Sequence, residues 1–151
     1  MTTSGAPDAA LAPPAAAFEV VARVEWADVD PVGIMRYGAY PRLLDLAEAE
    51  LFRAAGLGHP RLQTEYGVVL VRRVLHLEYR APARYDAVLR VAVWVERAGR
   101  SALTFGVCVR DGVGERTHVL GHVVVVAVDA ETLEKRALPA DLVVRIGAGT
   151  A

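Results

Sequence analysis

Cysteine is nearly absent: Cys108 is the only one in 151 residues. A single thiol excludes an internal disulfide and suits a reducing compartment such as the cytoplasm. It falls in a predicted strand, 103 to 110, where it reads as a small buried apolar residue rather than a nucleophile. Lysine is just as scarce, Lys135 standing alone among 17 basic residues. The Arg excess comes with abundant Ala, Val and Gly, a combination that a GC-rich genome produces without any binding role. An excess of one charge is missing too. A formal net charge of -1 makes no electrostatic case for nucleic acid or an anionic membrane. The apolar run from 119 to 128 contains His122 and is too short to span a bilayer. The first 17 residues have no basic segment ahead of their Ala/Pro run, so they read as a disordered leader and not as a signal peptide.

Missing motifs narrow the chemistry further. No Gly-x-Ser-x-Gly is present, which removes the serine-hydrolase route to ester cleavage. No phosphate-binding or dinucleotide fingerprint is present either, and no cofactor is expected. The four His, at 59, 76, 118 and 122, lack close ligand spacing. In a strand His118 and His122 share a face but stand far apart along it, so no metal is expected.

What is present concentrates between Trp26 and Ala55. Asp30-Pro31-Val32-Gly33 is strong turn chemistry, because Pro fixes φ and Gly tolerates positive φ. Pro41 suits a helix first turn. Leu43, Leu44, Ala47, Leu51, Ala54 and Ala55 recur at helical spacing, and Gly56 stops the helix. A carboxylate is thus held on a rigid turn just ahead of a helix N-terminus, whose free N–H groups favour negative charge. Glu48 and Glu50 read as surface or interface charges. Around this helix the chain alternates as strands at 18 to 27, 67 to 79, 85 to 96, 101 to 110 and 116 to 128. The segment 57 to 65, with Gly58 and Pro60, reads as a connecting loop. Asp111-Gly-Val-Gly reads as a hairpin turn, and a short helix is expected after Leu138. One long helix and an antiparallel sheet of about five strands give an α+β class, a single domain over 18 to 146 and a flexible tail over 147 to 151. The nearly apolar 119 to 128 strand is expected to be covered on both faces.

Asp30-Pro-Val-Gly-Ile, followed by Tyr37, Tyr40 and Asp45 at their present spacing, resembles the 4-hydroxybenzoyl-CoA thioesterase family of hot-dog folds. The likeness runs from about 18 to 141 and includes Tyr79-Arg-Ala-Pro-Ala-Arg-Tyr-Asp-Ala. Tyr37 stands where many members carry His, and Ala39 where many carry Asn. The resemblance implies a hot-dog domain that hydrolyses an aromatic or short to medium acyl-CoA. By itself, an Asp ahead of Pro-x-Gly is more often a turn or capping residue. With the resemblance, Asp30 becomes the expected general base or nucleophile. Backbone N–H groups near Tyr37 and Gly38 become the oxyanion site. Tyr37 either walls that site or packs in the core, and Tyr40 packs or meets substrate. Asp45 either meets a polar acyl end or is a solvated helix charge. Asp28, two residues before Asp30, reads as a loop-stabilising acceptor.

Arg72, Arg73, Arg80, Arg84, Arg97 and Arg100 fall near predicted strand ends, and CoA phosphates favour Arg. Arg97 and Arg100, flanking Gly99, are the leading candidates. The expected partners are an acyl-CoA substrate and further copies of the chain, as a homodimer or a dimer of dimers, with neither nucleic acid nor membrane. Two other classes stay open: a thioesterase for carrier-protein-bound acyl chains, and a non-catalytic acyl-binding module. A hot-dog dehydratase or isomerase would want a His paired with an acid on the helix, and this helix has no His.

Overall fold

The computed structural model describes residues 12–148. Most of the expected leader, up to residue 11, and residues 149–151 of the expected tail lie outside them. Strand β1 (Phe18–Arg23) is followed by the long helix α1 (Tyr40–Ala54) and a second helix, α2 (His59–Tyr66). Strands β2 (Val68–Tyr79), β3 (Val88–Ala98), β4 (Ala102–Asp111) and β5 (Thr117–Asp129) come next, and α3 (Ala140–Ala148) ends the described chain. All pairings are antiparallel, in the order β1-β3-β4-β5-β2. The last three strands form a meander, and the two earlier ones close its two edges. This is the hot-dog arrangement, with a curved sheet around one helix.

The register explains how the helix is held. Leu89, Val91 and Val93 of β3, Leu103, Phe105 and Val107 of β4, and Val123 and Val125 of β5 all face α1 and are buried. The helix answers with Leu43, Leu44, Ala47, Leu51 and Phe52, between 0 and 6% exposed. Phe52 meets Phe105 edge-on, at 6.3 Å between ring centres. Each fully buried Leu or Phe here contributes about 1.5–3 kcal/mol over its exposed state. Ala54, assigned to this face from its spacing, is exposed, because the stripe drifts onto Tyr40, Glu48 and Phe52.

Several expectations need correction. The loop expected over 57 to 65 contains α2. Its Pro60 sits in the first helical turn, where the absent N–H costs nothing, and Gly67 ends it in the left-handed region at φ 64°. The first strand stops at Arg23, because the Asp28 side chain accepts the Glu25 amide and closes a tight helical turn over Trp26–Asp28. Gly147 and Ala148, expected in the tail, belong to α3. On β5 the side facing α1 is buried, but His122, Val124 and Val126 on the other side are only half-buried, so that face is not fully covered. Strand β2 is an edge, with Val71, Val74, Leu75 and Tyr79 between 40 and 50% exposed. Among the described residues no helix is long and apolar enough to cross a membrane.

Candidate active site

The loop ahead of α1 is stitched at both ends. Val29 bridges Met35, and Ile34 bridges Arg84. Within it the Asp30 amide donates to the Ile34 carbonyl and the Gly33 amide to the Asp30 carbonyl, both at 2.9 Å. Gly33 sits at φ 85°, a conformation that disfavours a side chain. The Asp30 carboxylate supports the turn with one oxygen only. Oδ1 accepts from the Val32 amide at 2.9 Å and from the Ile34 amide at 3.3 Å. Among the described residues no group hydrogen-bonds Oδ2.

Asp28, 5% exposed, does the structural work one turn earlier. Arg42 of α1 grips it with Nε at 3.1 Å from Oδ1 and with Nη2 on Oδ2, and the Glu25 amide donates to Oδ2 at 2.8 Å. Burial pushes this carboxyl up, but hydrogen bonds from Arg42 and the Glu25 amide and the charge of Arg42 overcome it and hold the group below the ordinary value. The loop is thereby tied to the first turn of α1. Sequence reasoning found the role of Asp28 and missed Arg42, which the fold brings in from fourteen positions away.

A tight turn over Tyr37–Ala39 leads into the helix. Among the described residues no side chain caps its first N–H groups, and the space where a Gly38 side chain would stand is open. A cavity of about 580 Å³ opens beside this N-terminus, lined by Asp30, Ile34, Met35, Arg36, Tyr37, Tyr40, Tyr79, Arg80, Ala81 and Pro82. Tyr37 is 78% exposed, which removes the core-aromatic reading and leaves it as a wall. Its carbonyl accepts from the Tyr79 hydroxyl at 3.0 Å. Tyr40 is 2% exposed and meets Tyr79 edge-on at 5.5 Å; burial pushes its phenol up. An uncapped helix start beside a carboxylate with a free oxygen can stabilise an oxyanion while that oxygen takes a proton or attacks.

The remaining candidates stand elsewhere. Asp45 is exposed and pairs with Arg72 at 3.0 Å. Arg72 also reaches Glu48 at 2.9 Å. Glu48, expected at the surface, is 8% exposed, because Arg72 from β2 supplies the charge that lets it enter the core. Burial nevertheless pushes the Glu48 carboxyl up, with Arg72 opposing. Arg97 lines a groove on the outer sheet face with Glu96, Thr104, His122 and Val124. Arg100 lines another, of about 370 Å³, with Ser101, Lys135, Arg136 and Ala137. Thus Asp30, Tyr37 and Tyr40 converge, with Gly38 adjoining, while Asp45, Arg97 and Arg100 do not. Tyr79 and Arg80 were missed as cleft residues, as were Lys135 and Arg136 beside Arg100. Only the position of Tyr79 and Arg80 at the end of a predicted strand could have signalled them; nothing in the sequence signalled Lys135 and Arg136.

The thioesterase-like superfamily matches residues 24–146, and the chain belongs to that family. It is similar to the acyl-CoA thioester hydrolase YbgC of Escherichia coli O6:H1, 28% identical over 83% of this chain and 92% of that protein. Among solved structures it superposes on the 1,4-dihydroxy-2-naphthoyl-CoA thioesterase Slr0204 from Synechocystis with a TM-score of 0.78. That likeness carries 15% identity over 86% of this chain and 95% of that one. Protein SAV2348 from Staphylococcus aureus, solved in complex with CoA, gives 0.78 at 13% identity over 89% of this chain and 84% of that one. At such identities the two structures speak for the fold.

Proposed function

We propose that the chain is a thioester hydrolase that cleaves acyl-CoA, with Asp30 as its reacting carboxylate. The observation that carries this reading is the free Oδ2 of Asp30 in a cleft that starts at an uncapped helix N-terminus. Family membership and the YbgC likeness support the reaction class. Asp30 removes a proton from water as its oxygen attacks the thioester carbon, or attacks that carbon itself to give an anhydride that water opens. In either case the carbonyl electron pair moves to oxygen beside the Tyr37 and Gly38 amides. Collapse then expels the CoA thiolate, which takes up a proton, and the carboxylic acid leaves. Tyr37 and Tyr40 suit an aromatic or short acyl group. Asp45 meets a polar acyl end only by leaving Arg72. The buried, unpaired Cys108 suits the cytoplasm. Steady-state hydrolysis of aromatic, short-chain and long-chain acyl-CoAs tests the reading; no turnover on any of them would leave the acyl-binding module standing.

Assembly completes the site in this proposal. A two-fold axis beside the exposed edge of β2 would pair that strand with its own copy, antiparallel. The Val68 end of one chain then lies beside the Tyr79 end of the other. That brings the basic groove of Arg100, Lys135 and Arg136 from one chain toward the Asp30 cleft of the other, and Arg there suits CoA phosphate. Light scattering at micromolar concentration is expected to give a dimer or a dimer of dimers, and a stable monomer would refute the arrangement.

The phosphates lie far from the reacting carbon, so they contribute uniform binding. An acyl-pantetheine is therefore expected to show a KM about tenfold or more above that of the matching acyl-CoA, with kcat little changed. Equal efficiency for both would mean that phosphate is not recognised, and would favour a carrier-protein thioester.

A further inference from the structure

His118 is the extra residue of a β-bulge. Val109 pairs with Val119 and Arg110 with Thr117, which leaves His118 with nothing opposite. A bulge re-aims a side chain. It also overturns the expectation that His118 and His122 share a face. His122 stacks on His76 on the outer sheet face, whereas the His118 ring is 3% exposed and placed between two acceptors. Nδ1 lies 3.1 Å from the Ala81 carbonyl oxygen, and Nε2 lies 2.6 Å from Oδ1 of Asp111. A carbonyl oxygen only accepts, so Nδ1 carries a proton and donates it to Ala81. Nε2 pairs with the Asp111 carboxyl. The His–Asp couple looks like a catalytic dyad, but both ring nitrogens are engaged and neither is open to substrate.

The backbone tightens the same link. The His118 carbonyl accepts from the amides of Arg80 at 2.8 Å and Ala81 at 3.3 Å. Arg80, Ala81 and Pro82 form part of the cleft wall. The next residue, Ala83, is 1% exposed, and its carbonyl accepts the Met35 amide at 2.7 Å. One short segment is therefore fastened to His118 on one side and to the Asp30 loop on the other.

We propose that His118 is the positioning residue of the cleft wall. Its Nδ1–H holds the Ala81 carbonyl and so sets Arg80-Ala81-Pro82 at the spacing from Asp30 that acyl-thioester binding requires, while Asp111 anchors the far side of the ring at Nε2. The proposal rests on the reading of this cleft as the thioesterase site. It separates two substitutions that a purely structural role would treat alike. His118→Asn keeps a donor near the place of Nδ1, whereas His118→Gln keeps the reach to Asp111 and loses Ala81.

His118→Gln is expected to raise KM for an acyl-CoA about tenfold with kcat nearly unchanged, the effect of one lost hydrogen bond on a binding surface. His118→Asn should stay within about twofold of wild type. Amide hydrogen exchange over residues 80–83 should quicken in the Gln variant and not in the Asn variant. Asp111→Asn is the second variant: its amide can donate to Nε2 of a neutral ring that keeps Nδ1–H on Ala81, so KM should hold. Equal KM in the Gln and Asn variants, or a tenfold rise in Asp111→Asn, would overturn the proposal. If wild type hydrolyses no acyl thioester, the functional reading of the cleft fails instead, and the exchange pattern still decides the role of His118.

Discussion

Asp30→Asn is expected to lower kcat by about a hundredfold or more while fold and assembly stay intact. The expectation follows from how the two carboxylate oxygens divide their roles. Oδ1 accepts the Val32 and Ile34 amides, and an Asn side-chain oxygen accepts them equally well. The turn, the Gly33 conformation and the bridges to Met35 and Arg84 therefore survive. What changes is Oδ2, the oxygen that no group among the described residues hydrogen-bonds, which becomes an NH₂ that neither takes a proton nor attacks a thioester. Stopped-assay turnover beside circular dichroism and light scattering separates chemistry from folding. Near-normal kcat in a correctly folded Asn variant would remove Asp30 from the reaction and leave it as turn chemistry alone.

The parts of this site legible in the sequence are those that short-range rules control. Pro31 and Gly33 restrict backbone angles at their own positions, so the turn could be read residue by residue. The 3.6-residue spacing of Leu43, Leu44, Ala47 and Leu51 similarly gave α1 and its buried face. The resemblance carried by Asp30 to Asp45 joined these to a hot-dog sheet, which is the observed topology. The misreadings have physical causes too. Gly58 and Pro60 signal a loop and a helix start with the same local chemistry, and α2 was lost to that ambiguity. Glu48 resembles any exposed helix glutamate until Arg72 arrives from β2. His118 seems to share a face with His122 until one unpaired residue turns it inward. Tyr79 and Arg80 enter the cleft only because β2 ends beside the Tyr37 turn. The Glu48 and Tyr79 misses are partners brought from far along the chain, which periodicity does not encode.

The same long-range logic makes Arg42→Met the substitution with the largest expected effect on stability. Asp28 keeps its charge in a site where its side chain is 7% exposed, and Arg42 is the group that permits it. Removing the guanidinium leaves a buried carboxylate with the Glu25 amide as its remaining donor. A broken buried pair costs about 3–5 kcal/mol, and because Arg42 is itself 39% exposed the expected loss at pH 7 is nearer 2 kcal/mol. The pH dependence carries the sign. In wild type the folded Asp28 carboxyl lies below its ordinary value of 3.8, so its contribution is present above that pH and is lost as pH falls through the lowered value. In the variant, burial without Arg42 pushes the carboxyl up instead, and the variant is penalised wherever Asp28 must ionise. The gap between the two proteins should therefore be wide at pH 7 and narrower toward pH 4, where the variant already buries a neutral acid, and it closes further only as pH falls through the lowered wild-type value. Adding Asp28→Asn to Arg42→Met should recover part of the loss at pH 7, because the uncompensated charge is gone. Urea unfolding at both pH values checks this, and an equal gap at pH 7 and pH 4 would show that Arg42 acts through packing rather than charge. Activity should fall together with stability, because this ion pair ties the Asp30 loop to the first turn of α1 and so holds the carboxylate beside the amides proposed to receive the oxyanion.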